Sequence, residues 1–441
     1  MIAGYRRGLV GALFAAMASA VVQQAYGSGF YVPQKGAGGV GLASAGGAAR
    51  ASDASTVFFN PAGMTLLGER RLEAGIDLLS PDVKIENRGS TATTPGTGGV
   101  ATPYSGGNGD AGSLTAVPHV YFAAPWSPDL WIGFAATSPF GLSLDYARDW
   151  FGRYDSIQSK LVTLDFAPSL AWRVSPTLSI GGGINLQYAD AKLTNAVPDT
   201  LNPGGPTPAT DGLAKLTGDG WASGFNVGIL YHPSERTRVG MHYRSGMRHK
   251  LDGDATIEDL GGPLAAANGI FKSRTEFRLP WVLSLALSQE LTPSWRVLGE
   301  YQRFGWSEFD QVRIRPEGLP ETQRPQHFRD SSSLALGVEY QSSERWTWRA
   351  GVRVENTPTV DQFRNTSIPD SDLRWFGVGV SYRASSQLGF DFGVLQARFK
   401  RADINLSTTF FEGTPVSGTV NVRGETENVV NTFSVTGRYS F

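Results

Sequence analysis

Fourteen stretches of this chain alternate apolar and polar residues with a period of two, and most run well beyond the five or six residues usual for a strand in a soluble sheet. In 345–357, Trp346, Trp348, Ala350, Val352 and Val354 share one face, while Thr347, Arg349, Gly351, Arg353 and Glu355 share the other. The split recurs in 157–175, with Val162, Leu164, Phe166, Leu170 and Trp172 opposite Thr163, Asp165, Ser169 and Arg173. In 387–408, Leu388, Phe390, Phe392 and Val394 oppose Gly389, Asp391 and Gly393. One face suits lipid and the other a lumen. A soluble sandwich would alternate too, but with short strands and the apolar face inward. The prediction is therefore all-β: a 14-stranded antiparallel transmembrane β-barrel, its strand number even as in single-chain bacterial barrels.

The expected strands are 70–88, 114–126, 129–146, 157–175, 177–195, 219–232, 236–256, 272–291, 294–315, 327–341, 345–357, 372–384, 387–408 and 423–441. Their connections alternate strictly in length. Six are tight turns, at Trp126, Ser175, His232, Leu291, Gln341 and Ala384, and between them lie long polar or Gly-rich segments such as 89–113, 196–218 and 258–270. That asymmetry belongs to an outer-membrane barrel, with periplasmic turns, extracellular loops and both termini at the periplasmic end. No stretch approaches 18 uninterrupted apolar residues, which excludes a helical membrane protein. A mean hydropathy of −0.18 does not bear on a barrel, whose strands show lipid only every second residue. A net charge of −1 argues against nucleic acid as a partner, and a chain without cysteine fits an envelope protein stabilised by barrel closure.

Two segments precede the strands. Arg6 and Arg7, an apolar run from Gly8 to Val22 and the small residues of Ala25-Tyr26-Gly27 predict a secretory signal peptide over 1–27. Residues 28–67 are rich in Gly, Ala and Ser and lack alternation. Such a segment cannot bury enough apolar surface to order itself, so it is expected to be a hatch enclosed by a barrel of residues 68–441.

Enzyme signatures are weak. Gly36-Ala-Gly-Gly-Val-Gly41 matches a dinucleotide-binding pattern but follows no strand and opens no βαβ unit. There is no G-x-S-x-G, and His119, His232, His242, His249 and His327 show no metal-ligand spacing. His242 falls on the expected lumen face beside Arg238 and Arg244, as a wall residue. The chain reads as a non-enzyme with no cofactor and no metal. The last strand puts Phe433, Val435, Gly437, Tyr439 and the terminal Phe441 on one face, an ending that resembles the signal read by the barrel-assembly machinery.

Ser28-Gly29-Phe30, the small-residue segment and Asn60-Pro61-Ala62 together resemble the N-terminal hatch of the FadL/OmpP1/TodX family of outer-membrane transporters of hydrophobic compounds. Later segments match in order: 117–122, 133–142, 221–231, Tyr243-Arg244-Ser245, Arg329-Asp330 and 367–372. The resemblance implies a monomeric outer-membrane channel of a Gram-negative bacterium. It would pass long-chain fatty acids or similar hydrophobic small molecules sideways into outer-membrane lipid, by ligand-gated passive diffusion. It further implies gating by Asn60, Pro61 and Ala62, and an inward kink with a lateral opening at Ser138, Pro139, Phe140 and Gly141, where Pro lacks a ladder donor. Arg324, Arg329 and Lys192 are candidate partners for a ligand carboxylate. Trp150, Phe151 and Phe271 are candidates for a first capture groove. Monoaromatic hydrocarbons are the alternative cargo, and a general water-filled porin the alternative class.

Overall fold

The computed structural model describes residues 29–318 and 321–441. The expected signal peptide lies outside the described residues. Among them no helix is long and apolar enough to cross a membrane. Fourteen antiparallel strands close into a barrel: β1 (Arg71–Asn87), β2 (Thr115–Pro125), β3 (Leu130–Thr137 and Gly141–Asp145), β4 (Gln158–Ser175), β5 (Leu178–Val197), β6 (Gly212–Ser234), β7 (Thr237–Arg244 and Met247–Glu258), β8 (Gly269–Leu279 and Val282–Thr292), β9 (Trp295–Phe304 and Gln311–Pro316), β10 (Thr322–Pro325 and Ser331–Gln341), β11 (Trp346–Glu355), β12 (Leu373–Arg383), β13 (Leu388–Phe399 and Ala402–Phe410) and β14 (Gly418–Ser440). Each strand pairs with the next, and β14 returns to β1 in a ladder running from Ser440 opposite Arg71 to Gly424 opposite Asn87. Closure leaves the sheet no outer edge.

Burial is inverted relative to a soluble protein. Leu170, Trp172, Trp348, Val352, Val354, Phe392 and Phe433 are exposed, while Thr163, Asp165, Arg353, Glu355, Asp391 and Thr432 on the opposite faces are buried. Apolar side chains standing outward in a continuous belt need lipid as their solvent. The strands reach farther at the long-loop end than the alternation predicts. β6 begins at Gly212, not 219, and pairs with β5 up to Val197. β13 runs to Phe410 and β14 starts at Gly418. These extensions stand clear of lipid, so no apolar face marks them in the sequence.

The lumen is filled by residues 29–67, almost all buried. They form three short helical turns, α1 (Ala37–Gly41), α2 (Gly47–Arg50) and α3 (Thr56–Phe59), followed by a 3-10 turn over Pro61–Leu66. The match to the dinucleotide pattern is simply α1, a five-residue turn with no strand before it. Small residues serve close approach on both sides. A Cβ at Gly240 of β7 would stand 1.9 Å from the Ala48 carbonyl oxygen, and one at Gly351 of β11 2.1 Å from that of Leu42. At the short-turn end the hatch is fixed by buried charge: Arg50 pairs with Asp53 and, at 3.4 Å, with Glu339, which also accepts from Arg349 at 2.8 Å.

Candidate functional site

The wall is interrupted once along the β2–β3 ladder. Pairing runs from Pro125 opposite Trp131 to Val120 opposite Ala136 and stops there. Thr115 to His119 of β2 remain paired to β1 but have no β3 partner among the described residues. β3 stays on β4 throughout, yet between Thr137 opposite Asp165 and Gly141 opposite Val162 it advances four residues against three. Ser138, Pro139 and Phe140 thus carry a bulge with one residue in excess, at a proline that has no N–H for the ladder.

The hatch supplies the missing partner. Val32 N–H donates to the Pro139 carbonyl at 2.9 Å, Gly141 N–H donates to the Phe30 carbonyl at 3.0 Å, and Tyr31 bridges to Phe140. Phe140 N–H is taken by Thr163 Oγ1 at 3.1 Å. Phe30 sits in a cage of Trp306, Phe309 and Phe140, with ring centroids 4.7, 5.1 and 6.2 Å away. Gly29 before it has φ of 70°, and a Cβ there would meet the Trp306 ring at 2.9 Å, so this entry turn requires glycine.

Lys35 lies where β2 and β3 part. The residue is 1% exposed, and its ammonium donates to the carbonyls of Val32, of Gln34 at 3.0 Å and of Ser138 at 3.1 Å. Tyr121 of β2 donates its hydroxyl to the Lys35 carbonyl at 3.1 Å. Burial pushes the ammonium down to about 7, against the opposing pull of Asp77. Nearby, His119 Nε2 and Thr436 Oγ1 are 3.0 Å apart, Asp77 lies 3.4 Å from His119 Nδ1, and Ala37 N–H donates to Thr436 at 3.0 Å. The order Asp, His, Thr resembles a hydrolytic triad, but all three are buried under α1, and the hydroxyl is spent on the hatch.

Above the bulge lies a small apolar cavity of about 80 Å³, lined by Phe30, Leu142, Leu161, Leu193, Leu251 and Phe277 among others. Arg324 lines it too, and its guanidinium is bound to Asp155 at 2.5 Å and Ser367 at 3.1 Å. Asp155 also accepts from Thr366, so the pair is held by a loop network. The cavity therefore offers a greasy body beside a neutralised polar corner. Asp370, in the loop before β12, accepts from Gly29 N–H at 3.2 Å, and burial pushes its carboxyl up to about 7.

The other expected sites divide. Asn60 is fully buried: its Oδ1 accepts from Ala62 N–H at 3.2 Å, while its amide donates to the Ala48 and Ile229 carbonyls at 2.7 and 3.0 Å. It caps the 3-10 turn at Pro61 and ties the hatch to β6. His242 is buried in the wall, as expected. Lys192 is half-buried on β5 and is not among the residues that line the cavity, whereas Ala191 and Leu193 on either side of it are. Arg329 lies before the second segment of β10. It is exposed, and its guanidinium reaches the Thr357 carbonyl at 3.5 Å rather than the cavity. The three capture-groove aromatics are not brought together either. Trp150 and Phe151 are buried in the loop after β3, Trp150 stacking on Tyr146 at 3.9 Å, while Phe271 is half-buried on β8. Loop aromatics fold in to make the loop's own core. Sequence reasoning missed Phe30, Lys35 and Asp155. Phe30 alone carried a signal, as a large ring in a small-residue segment.

Comparison with known proteins agrees with this geometry. The family model described as outer membrane protein transport protein (OMPP1/FadL/TodX) matches residues 18–441. The long-chain fatty acid transport protein of Escherichia coli O6:H1 is 27% identical over 397 residues, covering 84% of this chain and 86% of that one. Among solved structures, a Pseudomonas aeruginosa FadL homologue superposes with a TM-score of 0.82 at 23% identity, covering 94% of this chain and 100% of that one. The toluene transporter of Ralstonia pickettii gives 0.62 at 20% identity, covering 90% and 98%.

Proposed function

The chain belongs to the outer membrane protein transport family (OMPP1/FadL/TodX) and resides in the outer membrane; from that premise we propose that it is a passive channel, not an enzyme, which takes up long-chain fatty acids or similar amphiphiles and releases them sideways into lipid. The observation that carries this reading is the lapse of the β2–β3 ladder beside an apolar cavity, with one hatch segment touching both. Cargo entering the cavity meets Phe30, and Phe30 is continuous with the backbone bonds on Pro139 and Gly141. Displacing that ring loosens the segment that occupies the interrupted wall. A lateral exit also avoids the periplasm, since each CH₂ carried into water costs about 0.8 kcal/mol.

The register supplies a test. Tyr31 and Phe140 face each other across an antiparallel bridge, so cysteines at the two positions fall within disulfide reach, and the chain has no other cysteine. The oxidised Tyr31→Cys/Phe140→Cys protein is expected to lose oleate uptake and regain it on reduction. Equal uptake in both states would end the side-exit reading.

One observation favours uncharged cargo, namely that Asp155 already neutralises Arg324 at the cavity. Competition between oleate and toluene for the purified protein separates the two substrate classes. Steady ion conductance in planar bilayers would instead indicate a general porin.

A further inference from the structure

A buried ammonium held only by neutral oxygens is under-compensated, because buried charges are normally paired with opposite charge. Lys35 is in that position: three backbone carbonyls accept its hydrogen bonds, and no carboxylate stands within ion-pair distance among the described residues. Next to it, the buried Gln34 Oε1 has no partner. Every other fully buried cation in the lumen wall has a carboxylate in contact, as with Arg244 on Asp165 at 2.9 Å and Arg353 on Glu355. The location sharpens the contrast. Lys35 stands at the vertex where β2 and β3 separate, bonded to the first carbonyl of the bulge, with the rings of Phe58 and Tyr31 at 5.5 and 6.0 Å from its nitrogen.

We propose that Lys35 is a carboxylate-binding group at the lateral exit, so that this channel selects ionised amphiphiles at the point of release. The inference rests on the side-exit reading above and adds the chemistry of the cargo. A carboxylate brings a full opposite charge to the ammonium in a site of low dielectric, where a carbonyl brings only a dipole, so an arriving headgroup outcompetes the Ser138 oxygen. Ser138 is then released from the hatch, and the bulge loses the tie that holds it against segment 30–35. The apolar tail lies along the Phe58 and Tyr31 rings while the headgroup is held. Neutral hydrocarbons have nothing to exchange for Ser138 and would leave this tie in place.

The test compares oleate with methyl oleate, which has the same chain and no charge, in wild type, Lys35→Met, Lys35→Gln and Lys35→Arg. Barrel folding is checked by heat-modifiable electrophoretic mobility, and oleate affinity by equilibrium binding to purified protein. The ratio of oleate to methyl oleate flux into liposomes should fall about tenfold in the Met and Gln proteins, an effect on the scale of one charge-assisted bond. Arg should restore most of that preference, and the binding measurement separates a loss of affinity from a loss of release. A parallel fall of oleate and methyl oleate flux would make Lys35 a structural pin and overturn the proposal, as would unchanged flux of both. Wild-type protein that moves neither compound would instead defeat the transport reading itself.

Discussion

The lower and upper parts of the hatch are held by different physics. From Leu42 to Leu66 the segment is seated by buried ion pairs, by the cap at Asn60 and by backbone laid against wall glycines. From Gly29 to Lys35 it is held by two backbone bonds to β3, one ammonium on carbonyls and a set of aromatic edges. Charge networks and interlocked backbone have few alternative arrangements, whereas aromatic edges and single hydrogen bonds are easily exchanged for a ligand's contacts. The contrast assigns anchoring to the lower part and response to the upper part.

The most damaging way to break that contrast is to unseat the anchor. Glu339→Ala removes the carboxylate shared by Arg50, Arg296 and Arg349, leaving each with one other acidic partner, and breaking buried pairs of this kind typically costs about 3–5 kcal/mol. The barrel should still assemble, while the hatch becomes protease-sensitive and planar bilayers show open-channel current. Gly240→Val comes next, since its side chain cannot coexist with the Ala48 carbonyl, and overpacking of this kind costs about 1–3 kcal/mol. It should raise hatch cleavage without altering the heat-modifiable barrel. Asn60→Ala removes one cap and two ties to carbonyls, a loss of about 1–2 kcal/mol, and uptake should fall with folding intact. Unchanged uptake would detach this motif from gating.

The upper part should respond to pH. Burial pushes Lys35 down to about 7 from 10.5, with Asp77 and Asp165 opposing that shift and Arg244 adding to it. Between these values the undocked segment holds a proton that the docked one has lost, so docking strengthens as pH rises from about 7 toward 10. A nitroxide on Tyr31→Cys should become less mobile over that range, and the trend should vanish in Lys35→Met. The smallest effect is expected from Arg324→Ala. Its charge is already matched by Asp155, so oleate affinity should drop by under about 1 kcal/mol. A larger, oleate-specific drop would move carboxylate recognition from the exit to the cavity.

The barrel was legible because lipid imposes its pattern on every second side chain, as at Trp346, Trp348 and Val352. Where a strand leaves lipid the pattern ends, and so the first seven residues of β6 read as loop. The bulge was signalled by Pro139, which has no N–H for the ladder and is followed two residues on by Gly141. Arg324 and Arg329 were separated only by folding, since both sit in loop sequence and just one meets Asp155. Lys35 could not be placed. Its neighbours Gly36, Ala37 and Gly38 carry no alternation that would place a side chain, and its isolation from water comes from the barrel around it.

The extra residue at the bulge reverses which way β3 faces. Below it the even-numbered side chains Ile132 and Phe134 look toward lipid; above it Leu142 and Leu144, even-numbered as well, are sealed inside. One oily lane along a single stave thus begins on the inside of the vessel and ends on its outside. A molecule that follows it changes compartments without leaving hydrocarbon contact.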